Sequence, residues 1–324
     1  MIFFYVLAIL RALKGTAQTG HHLMPKTFPI IDAHTHFFSY NWLGQFYQLA
    51  KNKFETVEAL ARELGWEAPP RDPAELGKRW VTEQEKHGLA KQVLFASKLN
   101  DAESLAAATN TYPDRLLGYV MIDPTLPDAR NQTLYALNVL EMKGVLLFPA
   151  LHHFRASDQV AYTIYEEAVS ALVPVFIHFG QLSIPIFQKL GLPDNIDLKY
   201  SNPLDLRQAA LDFPELNFIV PHFGCGCFEE ALSVAAQCNN VYFDTSSSNS
   251  WITPPLTLKQ VFEQTLEVAG PERLLFGTDS SFFPRGWRRE IFETQHGVLT
   301  ESNLSWREQA LIFGGNLERI LNLA

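Results

Sequence analysis

Residues 28–38 read FPIIDAHTHFF. Four apolar residues lead into Asp32, and then His34 and His36 stand two positions apart. A strand alternates its faces with period two, so both imidazoles point the same way. That geometry chelates a metal but supplies only two ligands. Any others must come from the ends of other strands.

Segments of the same kind recur: KQVLFAS (91–97), LLGYVMI (116–122), GVLLFPA (144–150), VPVFIHF (173–179), NFIVPHF (217–223), VYFDTSS (241–247) and LLFGTDS (274–280). With the first they number eight, and they are continuous apolar runs, as in parallel strands buried on both faces. Helix-like stretches such as AELGKRWVTEQEKHG (74–88), SDQVAYTIYEEAVSAL (157–172) and FEEALSVAAQC (228–238) lie between them. The β, α alternation predicts an α/β fold, a (β/α)8 TIM barrel forming a single domain over residues 28–324. Residues 37–72 are too long for a plain βα connection and are expected to form a lid or specificity loop after strand one. The tail, LSWREQALIFGGNLERILNLA (304–324), reads as helix, Gly-Gly-Asn turn, helix, closing the base or side of the barrel.

The net charge of −9 argues against a non-specific nucleic-acid binder, while local arginines can still attract an anionic small molecule. Cys225, Cys227 and Cys238 are too few and too clustered for a disulfide framework, which fits a reducing, cytoplasmic setting. Residues 1–27 read as a peripheral or disordered leader, with Met24 as an alternative start. The apolar run Ile2–Leu10 precedes its positive residues Arg11 and Lys14, unlike a signal peptide, and falls short of the roughly 20 residues of a membrane span.

What interrupts the apolar runs carries the chemistry. His178 follows VFI, His222 follows IVP and Asp279 follows LLFGT. With His34 and His36, these polar groups fall at the C-terminal ends of strands one, five, six and eight, which converge on one mouth in a barrel. Singly, each is explained by packing, a turn or a helix N-cap. Jointly they predict a metal site, and imidazole with carboxylate suits Zn, with Mn, Fe, Co or Ni as substitutes. The GCG at 224–226 reads as a tight turn, and the cysteines as free thiols. His152 and His153 line the mouth or a surface loop, and DTSSS (244–248) offers small hydroxyls there. FFPRGWRR (282–289) follows Asp279 directly, so Arg285, Arg288 and Arg289 are candidates to bind a substrate carboxylate.

The motifs DAHTHFF, VFIHFG, IVPHFG, VYFDTS and LLFGTDS, in that order, resemble the amidohydrolase superfamily, in particular the branch with the aminocarboxymuconate-semialdehyde decarboxylase-like enzymes and several lactonases. The resemblance runs from Ile30 to the C-terminus. It implies that His34, His36, His178 and Asp279 ligate a metal beside a catalytic His222. Leu146 and Leu147 stand where many members carry a strand-four lysine shared by two metals, so one divalent metal is implied.

Such a cation lowers the pKa of bound water towards about 7. The expected activity is hydrolysis of a small carboxylate-bearing ester, lactone or amide, with His222 polarising the carbonyl and Asp279 moving the proton. The alternative is non-oxidative decarboxylation of an aromatic or muconate-type acid, and a non-catalytic binding barrel is the remote third. Partners expected are a small anionic substrate and a homodimeric second copy, with no nucleic acid and no membrane.

Overall fold

A computed structural model describes residues 28–323 except 51–52, 98–100, 183, 248–250, 253 and 283–284, so the leader lies outside the described residues. Each apolar run supplies a strand: β1 (Ile30–His36), β2 (Leu89–Ala96), β3 (Leu116–Met121), β4 (Gly144–Leu147), β5 (Val175–Ile177), β6 (Phe218–Val220) and β7 (Val241–Asp244). The eighth run gives two pieces, β8 (Leu274–Leu275) and β9 (Ser280–Ser281). All pairings are parallel and follow chain order. β8 pairs with β7 and β9 pairs with β1, where Thr35 faces Ser280 and His36 faces Ser281. Between the two pieces, Ala33 N–H donates to Phe276 O at 2.8 Å and Asp279 N–H to His34 O at 2.9 Å. The eighth run therefore closes the sheet into the expected TIM barrel.

Alternation along the strands splits the core in two. Ile31, Val93, Phe95, Leu117, Tyr119 and Phe176 fill the lumen. Their neighbours Leu94, Val120, Val145, Val175 and Phe218 pack under the surrounding helices. Burying such side chains stabilises by about 1.5–3 kcal/mol each. The helix Pro73–His87 shows why the intervening segments coil: the Asp72 carboxylate accepts from Ala74 N–H, Pro73 opens the first turn, and Gly88 ends it at φ 74°.

The insertion after β1 folds into helices Tyr40–Leu49 and Val57–Glu63, capped by the Ser39 and Thr56 hydroxyls. Their apolar faces form a separate cluster with the helix Pro185–Leu190. Lys53 Nζ donates to Leu190 O at 2.6 Å and Lys189 Nζ to Leu64 O at 3.4 Å, tying the two segments together.

The tail follows the expected outline: helix Trp306–Ala310 runs into a π-helical segment, Leu311–Gly315, kinks at Gly314 (φ 176°, ψ −42°) and continues as helix Asn316–Ile320. A Cβ on Gly314 would lie 2.7 Å from Pro29 O and 3.2 Å from Ile31 Cγ1, so glycine permits close approach to β1. Beyond it, Leu317, Ile320 and Leu321 join the lumen cluster and stop the base of the barrel.

Candidate active site

At the opposite end the polar interruptions meet. His34, His36 and Asp279 each offer a ligand atom, all within 4.8 Å of one another. His36 Nε2 is 2.8 Å from Asp279 Oδ1, and His34 Nε2 is 3.6 Å from the same oxygen. His178 stands outside that trio, its ring 5.2 Å from that of His222, and its Nδ1 is buried with no hydrogen-bond partner. The His222 ring is in turn 5.1 Å from that of His34. His222 Nδ1–H donates to Ser246 O at 2.8 Å, which leaves Nε2 as the free nitrogen. Three imidazoles, one of them with an orphaned buried nitrogen, and a carboxylate form a donor set that fits one divalent metal.

The charges divide unequally. Burial pushes His34 down, but the Asp244 carboxylate, with Asp279 and Asp32, outweighs it and raises its pKa. For Asp279, burial is outweighed by the His36 hydrogen bond and the charges of His36, His34 and His222, so its carboxyl falls well below the usual range. Burial, followed by the charges of His222 and His34, holds His178 well below the ordinary imidazole value. His36 and His222 are also lowered, chiefly by burial.

The backbone at this end is unusual. Asp279 (φ 55°), His222 (φ 53°), Phe223 (φ 51°), Cys225 (φ 46°) and Ser247 (φ 47°) all occupy the left-handed region that non-glycine residues avoid. Such strain persists where the surroundings fix it, and it gathers at functional sites. GCG is indeed a tight turn, and it explains Gly180: a Cβ there would meet Gly224 O and Cys225 O at 2.2 Å. The Cys225 thiol donates to Gln181 O, and burial pushes it up to about 12.

Three supporting groups were not assigned roles from the sequence, and a fourth, Ser247, was read only as one of the small hydroxyls at the mouth. Asp244, at the end of β7, accepts from His34 Nδ1–H at 2.5 Å and so fixes which nitrogen faces the site. Ser247 Oγ donates to Asp279 Oδ2 at 2.6 Å, and Ser97 Oγ is 2.8 Å from His36 Nδ1. Asp32 accepts from Thr278 Oγ1, Trp287 Nε1 and His34 N–H, pinning β1 to the eighth run. Burial pushes its carboxyl up to about 6 despite those donors. The buried Asp32 and Asp244, each in an otherwise apolar run, were the available signal.

The arginines separate. Arg285 lines the cavity and donates from Nη2 to Asp279 O at 2.8 Å. Arg288 pairs with Glu290 and Arg289 with Glu293, and neither lines the cavity, contrary to their grouping with Arg285. Of the strand-four histidines, His152 lines the cavity, whereas His153 Nε2 bonds to Asn195 O. The cavity over the five polar groups measures about 910 Å³, with Phe38, Trp42, Trp66, Phe148 and Phe187 in its walls. Among the described residues no helix is long and apolar enough to cross a membrane.

Comparison with known proteins places this geometry. The family profile described as Amidohydrolase matches residues 31–323. The 2-keto-4-carboxy-3-hexenedioate hydratase of Sphingobium sp. strain SYK-6 is 26% identical over 248 residues, covering 67% of this chain and 68% of that protein. Protein fluG of Emericella nidulans is 32% identical over 101 residues, 31% of this chain, and the match spans only 12% of fluG. Among solved structures, 5-carboxyvanillate decarboxylase of Novosphingobium aromaticivorans, with manganese and 4-hydroxy-3-methoxy-5-nitrobenzoic acid, superposes with a TM-score of 0.63 at 15% identity, covering 91% of this chain and 96% of that one. A probable 2-pyrone-4,6-dicarboxylic acid hydrolase of Acinetobacter baumannii, with citric acid bound, gives 0.59 at 16% identity, covering 91% and 99%. Because the family match takes in every strand end that carries a site residue, from the first barrel strand to the last helix, this chain is an enzyme of the amidohydrolase family.

Proposed function

We propose that the enzyme is a metal-dependent, non-oxidative decarboxylase of a planar carboxylated ring acid. The observation that carries this is the cavity: a floor of imidazoles and carboxylate beneath walls of aromatic rings, a slot suited to a flat anionic substrate. Similar structures include decarboxylases of 5-carboxyvanillate and 2,6-dihydroxybenzoate, which supports decarboxylation over the hydrolysis that the sequence put first. Hydration of a carboxylated unsaturated acid is the second reading, favoured by the sequence similarity to the Sphingobium hydratase.

His34, His36, His178 and Asp279 would hold the divalent metal. The sequence points to zinc, whereas a similar decarboxylase contains manganese, so both ions belong in the test. When bound, the cation supplies Lewis-acid polarisation and orients the substrate's oxygens. Asp244 holds His34 in the required tautomer, and Ser247 and Ser97 hold Asp279 and His36. His222, anchored through Nδ1–H on Ser246 O, keeps the Nε2 lone pair free, so Nε2 would take the proton that the substrate's acid or hydroxyl group gives up on binding and return it to the ring carbon as the bond to CO2 breaks. Arg285 offers the substrate carboxylate its remaining N–H donors, a charge-assisted contact of about 1.5–3 kcal/mol.

The test is protein reconstituted with Mn²⁺ or Zn²⁺ and offered hydroxylated aromatic carboxylates, carboxylated pyrones and unsaturated keto acids. CO2 release from an aromatic acid is expected. Ring-opening of the pyrones without CO2 identifies a hydrolase, and water addition to the keto acids a hydratase; either overturns the proposal.

A further inference from the structure

One wall of the cavity is organised beyond what the floor requires. The rings of His36 and Phe38 stack at 5.1 Å and 22°, those of Phe38 and Trp42 at 4.0 Å and 17°, and those of Trp42 and Trp66 at 6.1 Å and 23°. This ladder starts on a floor residue and climbs along the insertion after β1. Phe38 and Trp66 are only half-buried, yet each packs on a satellite core that fixes the back of the wall. The outer end is polar: Lys189 Nζ lies 5.9 Å from the Trp66 ring, and Lys189 and Asp194 both line the rim.

Size points the same way. At about 910 Å³ the cavity is near the top of the range of about 300–1,000 Å³ that encloses drug-sized ligands. Trp66 stands two ring contacts from His36, through Phe38 at 6.5 Å and 7°, and so adds a second aromatic surface beyond the ring that touches the floor. Half-buried aromatic faces lining a ligand cavity are stacking surfaces for flat groups.

We infer that the substrate carries a second flat, apolar group beyond its acid-bearing ring, and that Phe38, Trp42 and Trp66 seat that group. The inference rests on the reading of the floor as a site for a carboxylated ring. Trp66 is thereby a specificity residue: it selects by length and flatness and takes no part at the reacting carbon.

The test measures binding to Mn²⁺-loaded protein by calorimetry, using salicylate as the one-ring probe and 3-phenylsalicylate and 3-hydroxy-2-naphthoate as two-ring probes. Both two-ring acids are expected to bind at least about tenfold tighter than salicylate. Trp66→Ala should erase that preference while moving the salicylate Kd less than about twofold, and Trp66→Phe should retain most of it. Salicylate binding as tightly as the two-ring acids overturns the inference in the wild-type protein alone, whatever the variants' folding. So does a preference that survives Trp66→Ala. CO2 release followed in parallel separates the two proposals: a two-ring preference without CO2 sinks the decarboxylase reading alone, and CO2 from salicylate without a preference sinks this one alone.

Discussion

The two ends of the barrel are built on opposite physical terms. At the base, Ile219, Tyr242 and Leu275 pack on Leu317, Ile320 and Leu321, and stability comes from apolar burial. At the mouth, His34, Asp32, Asp244 and His222 are buried polar groups, while His222, Ser247 and Asp279 hold left-handed backbone. Each of those features costs stability unless hydrogen bonds offset it, and here the offset is a dense local network. The fold is thus secured from below and from the flanks, while the mouth is kept in a chemically useful but locally unfavourable arrangement.

Asp279→Asn is the severest break expected. It keeps the shape but removes the charge, so turnover should fall by about 100- to 1,000-fold or more and bound metal should drop in elemental analysis, with little change in the urea midpoint. More than a tenth of wild-type activity would show that the mouth does not depend on this carboxylate. Leu317→Ala tests the other end: unfolding free energy should drop by about 2–5 kcal/mol, with kcat/KM per folded molecule unchanged. Lost activity in fully folded variant would mean that the ends are coupled. Asp244→Asn has the smallest expected effect, since it removes none of the four proposed ligands and alters only the contacts with His34 and the Ser246 N–H. Metal affinity, read by competition with a chelator, should weaken by about 10- to 100-fold while the fold persists.

The barrel was legible because parallel strands buried on both sides must be continuously apolar, which makes His178, His222 and Asp279 conspicuous where the runs end. Asp244 was equally conspicuous in VYFDTS but lies one residue before the hydroxyls that drew attention, and a carboxylate at a strand end looks the same whether it caps a turn or orients a histidine. The arginines show a different limit. Arg288 and Arg289 have Glu290 and Glu293 at pairing distance along the chain, and only the folded structure decides that Arg285 reaches the cavity and Asp279 O. Gly314 serves two ends that its letter does not separate: it breaks the helical path, as the sequence suggests, and it admits Pro29 O, which a Cβ would meet at 2.7 Å.

The interrupted eighth run has a consequence for how the enzyme comes into being. His36 and Asp279, hydrogen-bonded in the site, are separated by 243 positions in sequence, and the peptide that brings Asp279 to His34 O is the one that seals β1 against β9. Contacts of such long sequence separation form late and slowly. During synthesis, the first strand's histidines therefore wait through seven strands for their carboxylate. The same short stretch that seals the cylinder against β1 thus sets Asp279 beside His34 and His36.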